Sequence, residues 1–254
     1  SLGDGTAPTL QPAPEGTRIL GVVCRREAVC SLNTERVGRK AVVLPCAGGP
    51  IPRSPRMTND LESPHPSPVR LRRARPGDLP WMAQIAADPI AVSEYNWAGV
   101  ARDAVDIEAG LRADFDRDGF IGDNGGSLVV ELRDGTRIGT VGWRTERWGP
   151  SPGSRCLAFG IALLPDFRGK GYGTEAQRQL VDYLFEHTTT HRVQSDTAVD
   201  NPAERRSLRK IGMIEEGIVR QAEWRNGTYH DHVLFSILRS EWETLLRSES
   251  PDGT

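Results

Sequence analysis

The stretch Leu164-Pro165-Asp166-Phe167-Arg168-Gly169-Lys170-Gly171-Tyr172-Gly173-Thr174 carries more information about architecture than any other in the chain. An apolar run stops at Pro165, and a loop with glycine at every second position opens directly into a helical pattern. Glycines let the backbone come close to an anion and turn several N–H groups toward it. The helix that follows adds its own unpaired donors and partial positive charge. Such a loop suits a pyrophosphate. It is not a P-loop, which needs GxxxxGK followed by Ser or Thr. It also fits a dinucleotide fingerprint poorly, because the glycine spacing is GxGxG and lies deep inside the domain rather than after a first strand.

Reading outward, the chain alternates between the two structural periods. Upstream, Val69, Leu71 and Ala74 lead a short strand into Arg75-Pro76-Gly77-Asp78, with Asp78 placed to cap a helix begun by Pro80-Trp81-Met82. Residues 104–115 read as a second helix, with Val105, Ile107, Leu111 and Phe115 expected near one face. Residues 127–133 and 137–144 read as strands joined by Asp134-Gly135, a hairpin signal, and residues 156–164 as a third strand. Downstream, residues 174–187 are helical, with Ala176, Leu180, Val181 and Leu184 spaced for one buried face. Residues 192–199 return as a strand and 203–210 as a short helix. Residues 213–224 and 230–238 form a last hairpin around Asn226-Gly227. This order predicts an α/β sandwich with a mixed sheet and no internal repeat.

Aromatic residues mark where the domain begins. All six Trp, four Tyr and six Phe lie after residue 68, while ten of the eighteen prolines lie at or before it. A segment so composed buries little apolar surface against its chain entropy. Residues 1–66 are therefore expected to be a largely disordered, catalytically dispensable extension, in which residues 19–24 and 41–44 either pair as a weak hairpin or dock onto the domain. Met57 reads as an alternative start, and Ser1-Leu2 as a processing remnant. The folded domain is expected over 67–247, with a tail at 248–254. A net charge of −2 argues against a bulk nucleic-acid or membrane binder. No apolar run approaches the ~20 residues needed to span a bilayer, and residues 19–23 are too short for a signal peptide. Cys24, Cys30, Cys46 and Cys156 form no CxxC pair and no zinc-ligand spacing, so free thiols in a reducing cytoplasm are expected, with a disulfide within the extension as the alternative.

The run Arg168-Gly169-Lys170-Gly171-Tyr172-Gly173 resembles the coenzyme A pyrophosphate loop of the GNAT superfamily, (Gln/Arg)-x-x-Gly-x-(Gly/Ala), at every specified position. Asn201-Pro202-Ala203-Glu204-Arg205-Arg206-Ser207-Leu208-Arg209-Lys210-Ile211-Gly212-Met213 is similar to the segment by which these enzymes leave their fifth strand. Asn201 also suits an N-cap, with Pro202 at the first helical position. Glu216-Gly217 and the run from Arg220 to Asp231 are similar to the end of the RimJ/RimL-type ribosomal-protein N-terminal acetyltransferases. The resemblance spans about Val69 to Trp242. It implies a mixed, mostly antiparallel sheet flanked by helices, with strands four and five splayed so that acyl-coenzyme A enters the gap. It implies acyl transfer, acetyl before succinyl, to the amine of a protein N-terminus or small molecule. A non-catalytic acyl-coenzyme A-binding module is the alternative.

The resemblance places the cofactor against Arg168, Gly169, Lys170, Gly171, Tyr172, Gly173, Thr174 and Asn201, and against the strand backbone at Ile161, Ala162 and Leu163. The strand amides would also stabilise the oxygen that gathers charge during transfer. Glu223 matches the general base of the RimL-type enzymes, and an apolar wall such as Trp224 would raise its pKa. Two departures concern the acid. The tyrosine of many GNATs is Leu208 here, and the serine of RimL-type enzymes is Glu204, with Ser207 one turn on. Glu204, Ser207 or water remain as proton donors. His230 and His232 share a strand face, yet no third ligand or serine completes a metal site or triad, and Asp231 is expected to fix the strand or bind a cationic acceptor. No metal is expected, nor nucleic acid or membrane, and the chain is expected as a monomer or homodimer.

Overall fold

The computed structural model describes residues 60–61, 67–96 and 102–249. The expected hairpin of residues 19–24 and 41–44 lies outside the described residues, as do Cys24, Cys30 and Cys46. The strands are β1 (Asp60–Leu61), β2 (Val69–Arg73), β3 (Ile121–Gly122), β4 (Gly125–Leu132), β5 (Arg137–Arg147), β6 (Arg155–Leu163), β7 (Arg192–Ala198), β8 (Ile214–Arg225) and β9 (Thr228–Leu238). The helices are α1 (Leu79–Ala87), α2 (Pro89–Val92), α3 (Ala104–Asp118), α4 (Tyr172–His187), α5 (Pro202–Lys210) and α6 (Arg239–Glu249). The sheet runs β1-β2-β4-β5-β6-β7-β9-β8, with β3 beside β4.

Both expected hairpins form for local reasons. Gly135 has φ +90°, and Asn226 and Gly227 have φ +52° and +81°, as two positive dihedrals in succession require. Among the described residues the β6–β7 pair alone is parallel, and it registers only at Leu157↔Val193 and Ala158↔Gln194 before the strands part. Where the backbone ladder ends, the Ser195 hydroxyl donates to the Phe159 carbonyl at 3.0 Å. This is the splay between the fourth and fifth main strands. One face of α4 closes the core beneath it: Ala176, Leu180, Val181 and Leu184 are all buried, as their spacing predicts. Each such Leu adds about 1.5–3 kcal/mol.

Several expectations need correction. Val105 is 74% exposed while Ile107 is buried, because two positions apart on a helix lie some 200° around its axis. Asp78 sits before α1 but makes no side-chain cap. Its buried carboxylate instead takes the Arg72 guanidinium at 2.7 and 3.0 Å and the Arg75 N–H at 2.7 Å. Arg72 also pairs with Glu131 at 2.6 Å. Burial pushes the Asp78 carboxyl up, but the Arg72, Arg75 and Arg137 donors outweigh it and hold it below the usual carboxylate range. Glu131 behaves the same way between Arg72 and Arg70.

The short elements β1, α2 and β3 and the helix α6 were not expected. Strand β1 pairs Asp60 with Arg72 and Leu61 with Leu71, so the sheet takes its outermost strand from the segment read as an extension. Helix α6 docks through Trp242, which stacks on Phe185 at 5.1 Å and donates to Asp182 at 2.7 Å.

Candidate active site

Where β6 and β7 part, they open a cavity of about 700 Å³ bordered by the 168–174 loop, α5 and the turn after α2. The β5–β6 register determines which amides face it. Leu164 N–H donates to Ile138 at 2.8 Å, so Gly139↔Leu163 is a non-bonded pair and Thr140↔Ala162 a bonded one. Ala162 therefore turns its backbone groups to β5, while Ile161 and Leu163 aim theirs at the gap. The Ile161 carbonyl takes Asn96 at 3.3 Å and the Leu163 carbonyl takes Arg168 at 2.8 Å, which leaves the two amides facing the cavity.

The loop brings its donors to the same place. Gly169 and Gly171 have φ +71° and +85°, a backbone that L side chains rarely adopt, and space is open where a Cβ would stand. Gly171 is the N-cap of α4 and supplies no side-chain cap. The first-turn N–H groups at Tyr172, Gly173 and Thr174 consequently have no acceptor within the helix. The Arg168 side chain folds away from them, bridging the Leu163 and Ala91 carbonyls. The Tyr172 side chain packs against the core and Lys170 lies over the Phe167 ring, so both meet a ligand mainly through backbone. Arg206 and Lys210, one turn apart on α5, add positive charge to the cavity wall. An uncapped helix end, left-handed glycines and strand amides around one cavity fit a diphosphate with a pantetheine arm.

Helix α5 begins as its sequence predicts. Asn201 Oδ1 accepts from Glu204 N–H at 3.2 Å, and its Nδ2 donates to the Thr197 hydroxyl at 3.1 Å. Glu204 borders the cavity and accepts from the buried amide of Gln177 at 2.9 and 3.0 Å. Burial pushes the Glu204 carboxyl above its ordinary range despite that hydrogen bond. Ser207 donates to Gln177 Oε1 at 3.3 Å and lies 2.9 Å from the Thr174 hydroxyl. Leu208, at the tyrosine position, is fully buried.

On the opposite wall the structure assembles residues that the sequence did not bring together. Strand β8 carries an irregularity between Val219 and Glu223, secured where Gln221, at φ +52°, donates its N–H to Asp231 at 2.7 Å. Asp231 thus fixes the strand. The irregularity pairs Glu223 with His230, on the face shared by His232. Glu223 accepts from Arg225 Nε at 3.2 Å and lies 3.2 Å from His232 Nε2, whose Nδ1 is 2.6 Å from Asp196. Trp224 provides no wall for Glu223. Adjacent strand side chains point to opposite faces, and Trp224 is 62% exposed, edge-on to Tyr229. Buried Arg225 also holds Glu94 at 3.2 Å and Asp200 at 2.8 Å beneath the Tyr95 ring, tying the turn after α2 to both strands. Among the described residues no group of three His, Cys, Asp or Glu side chains is arranged to hold a metal ion, and no helix is long and apolar enough to cross a membrane.

Known proteins share this architecture. The chain is 39% identical over 90 residues to Bacillus subtilis YdaF, named for ribosomal N-acetyl transfer, covering 35% of this chain and 49% of that one. It is 32% identical over 95 residues to the spermidine N(1)-acetyltransferase of Vibrio cholerae, covering 37% and 54%. The chain thus spans about half the length of the curated relatives it matches. The Vibrio cholerae spermidine N-acetyltransferase solved with coenzyme A and spermine superposes with TM-score 0.60 at 24% identity, over 70% of this chain and 99% of that one. The RimL ribosomal L7/L12 acetyltransferase solved with coenzyme A gives 0.57 at 18%, over 69% and 96%. These likenesses concern the fold. Residues 69–214, more than half of the chain, match the profile described as the acetyltransferase (GNAT) domain, so the chain belongs to the GNAT family.

Proposed function

We propose that the protein transfers an acyl group, acetyl in the first instance, from acyl-coenzyme A to a primary amine. The observation that carries this reading is the uncapped start of α4 behind two left-handed glycines, facing a gap with outward amides at Ile161 and Leu163. Bound acyl-coenzyme A supplies an activated carbonyl with a thiolate leaving group. The chain's own groups do the rest. The 168–174 amides and the α4 dipole hold the diphosphate. The Ile161 and Leu163 amides orient the pantetheine arm and offer hydrogen bonds to the carbonyl oxygen as it gains charge. Glu204, kept protonated to higher pH by burial, stands in the cavity as the proton donor to sulfur. Ser207 and Gln177 position it through hydrogen bonds. Asn201 holds the mouth of α5 in place, and the turn after α2 forms the acceptor side.

Two acceptor classes are proposed, a protein N-terminus and a small amine; a RimL ribosomal L7/L12 alpha-N-protein acetyltransferase shares the fold and a spermidine N(1)-acetyltransferase is a relative by sequence, which supports this range. Thiol release from acetyl-coenzyme A decides the activity. Release that requires spermidine or a peptide with a free N-terminus is expected. Coenzyme A binding without release for either amine would indicate a non-catalytic binding module.

A further inference from the structure

Resting on that reading, we infer that the acceptor's proton leaves through Asp196 to His232, with Glu223 as the second carboxylate on the imidazole. Glu223 alone is poorly placed to meet an amine. It is absent from the cavity wall, and its Oε2 already faces both Arg225 and His232 at 3.2 Å. Asp196 and His232 do border the cavity. Asp196 stands on β7 at the edge of the splay with 43% of its side chain exposed, while His232 behind it keeps 18%. The register explains their meeting. Asp196 pairs with Leu234 and His232 lies two residues along β9, so the two are diagonal neighbours on one face.

The step balances. The ammonium N–H bond breaks and its proton goes to Asp196, which passes it across 2.6 Å to His232 Nδ1. The freed nitrogen lone pair forms the new C–N bond to the acyl carbon, the C–S bond breaks, the leaving thiolate takes the Glu204 proton, and the nitrogen sheds its second proton through water to the Glu204 carboxylate so formed. Both imidazole nitrogens then donate, Nδ1 to Asp196 and Nε2 to Glu223. The remaining charged or titratable neighbours are Arg225 on β8 and His230 on β9, with Asp200 and Glu94 reached through Arg225. Asp196 is thus the catalytic residue, and His232 and Glu223 act through it.

The test compares Asp196→Asn, His232→Gln and the double variant with the wild-type protein, using acetyl-coenzyme A with spermidine and with a peptide bearing a free N-terminus. Each single change should lower kcat/KM for the amine roughly 100-fold near pH 7. The double variant should be no worse than the poorer single one, because the residues act as a unit. Affinity for acetyl-coenzyme A should stay within about two-fold, which also checks folding, and Asp196→Asn keeps the side chain's size. The deficit should shrink as pH rises and the amine arrives already deprotonated. Wild-type rates in Asp196→Asn, losses that multiply in the double variant, or a deficit unchanged across pH would each overturn the inference while the proposed activity stands. A wild-type protein that releases no thiol with either amine overturns the activity itself.

Discussion

Glu204 shows how one residue can be legible in part. Its place on α5 followed from the spacing after Asn201, and both lie where that spacing puts them. Its environment did not follow, because the Gln177 that binds it lies 27 residues away on α4. Asp196 was missed for the same reason, since His232 is 36 residues distant. Local motifs reveal caps and loops, whereas side-chain networks between elements need the sheet register. Burial raises the Glu204 pKa, so the stability it contributes is present below its unfolded value near 4.5 and is lost as pH rises through the folded one. Glu204→Gln should therefore flatten the fall in stability above that point. It should also lower kcat by about ten-fold or more and remove the alkaline limb of the kcat–pH profile, with coenzyme A affinity retained. A full pH–rate series checks this, and an unchanged profile would return the proton donor to solvent.

Among the elements, the strongest predictions fall where charge is buried. Arg72 lies between Asp78 and Glu131 and ties β2 to the start of α1 and to β4. Arg72→Ala takes the buried guanidinium away from both carboxylates, leaving Asp78 with Arg137 and the Arg75 N–H and Glu131 with Arg70, and should cost about 3 kcal/mol in urea denaturation. Both carboxyls have depressed folded pKa values. Their contribution is thus complete above their ordinary values of 3.8 and 4.5 and is lost as pH falls below that range. Wild-type stability should drop on acidification more steeply than that of Arg72→Ala. Helix α6 is the element that periodicity overlooked, because its sequence is largely polar and a single aromatic residue docks it. Trp242→Ala removes the stack on Phe185 and the bond to Asp182, and should cost about 3–5 kcal/mol, read from the same denaturation curves. The long hairpins and α4 were legible because their turn residues and apolar periods agree.

At the scale of the whole molecule, the residues that match the acetyltransferase domain, 69–214, follow a segment without aromatic side chains. A chain beginning at Met57 retains β1 and should keep its melting temperature and its coenzyme A affinity; a large loss of either, by calorimetry, would assign residues before 57 a structural role. The splay was legible only through the family resemblance that the 168–174 loop carries, and the spatial order of the strands needed the structure, where β6 and β7 part beside that loop. The central claim is that this loop holds coenzyme A through backbone amides, and isothermal titration of coenzyme A into the wild-type chain and Gly171→Val tests it most directly. Valine at φ +85° forces the loop out of its left-handed turn and fills the open space beside it. We predict a clear heat of binding for the wild-type chain and an affinity lowered roughly 100-fold or more, about 2.8 kcal/mol, in a Gly171→Val protein that still melts cooperatively. Equal affinity in the two folded proteins would contradict the account.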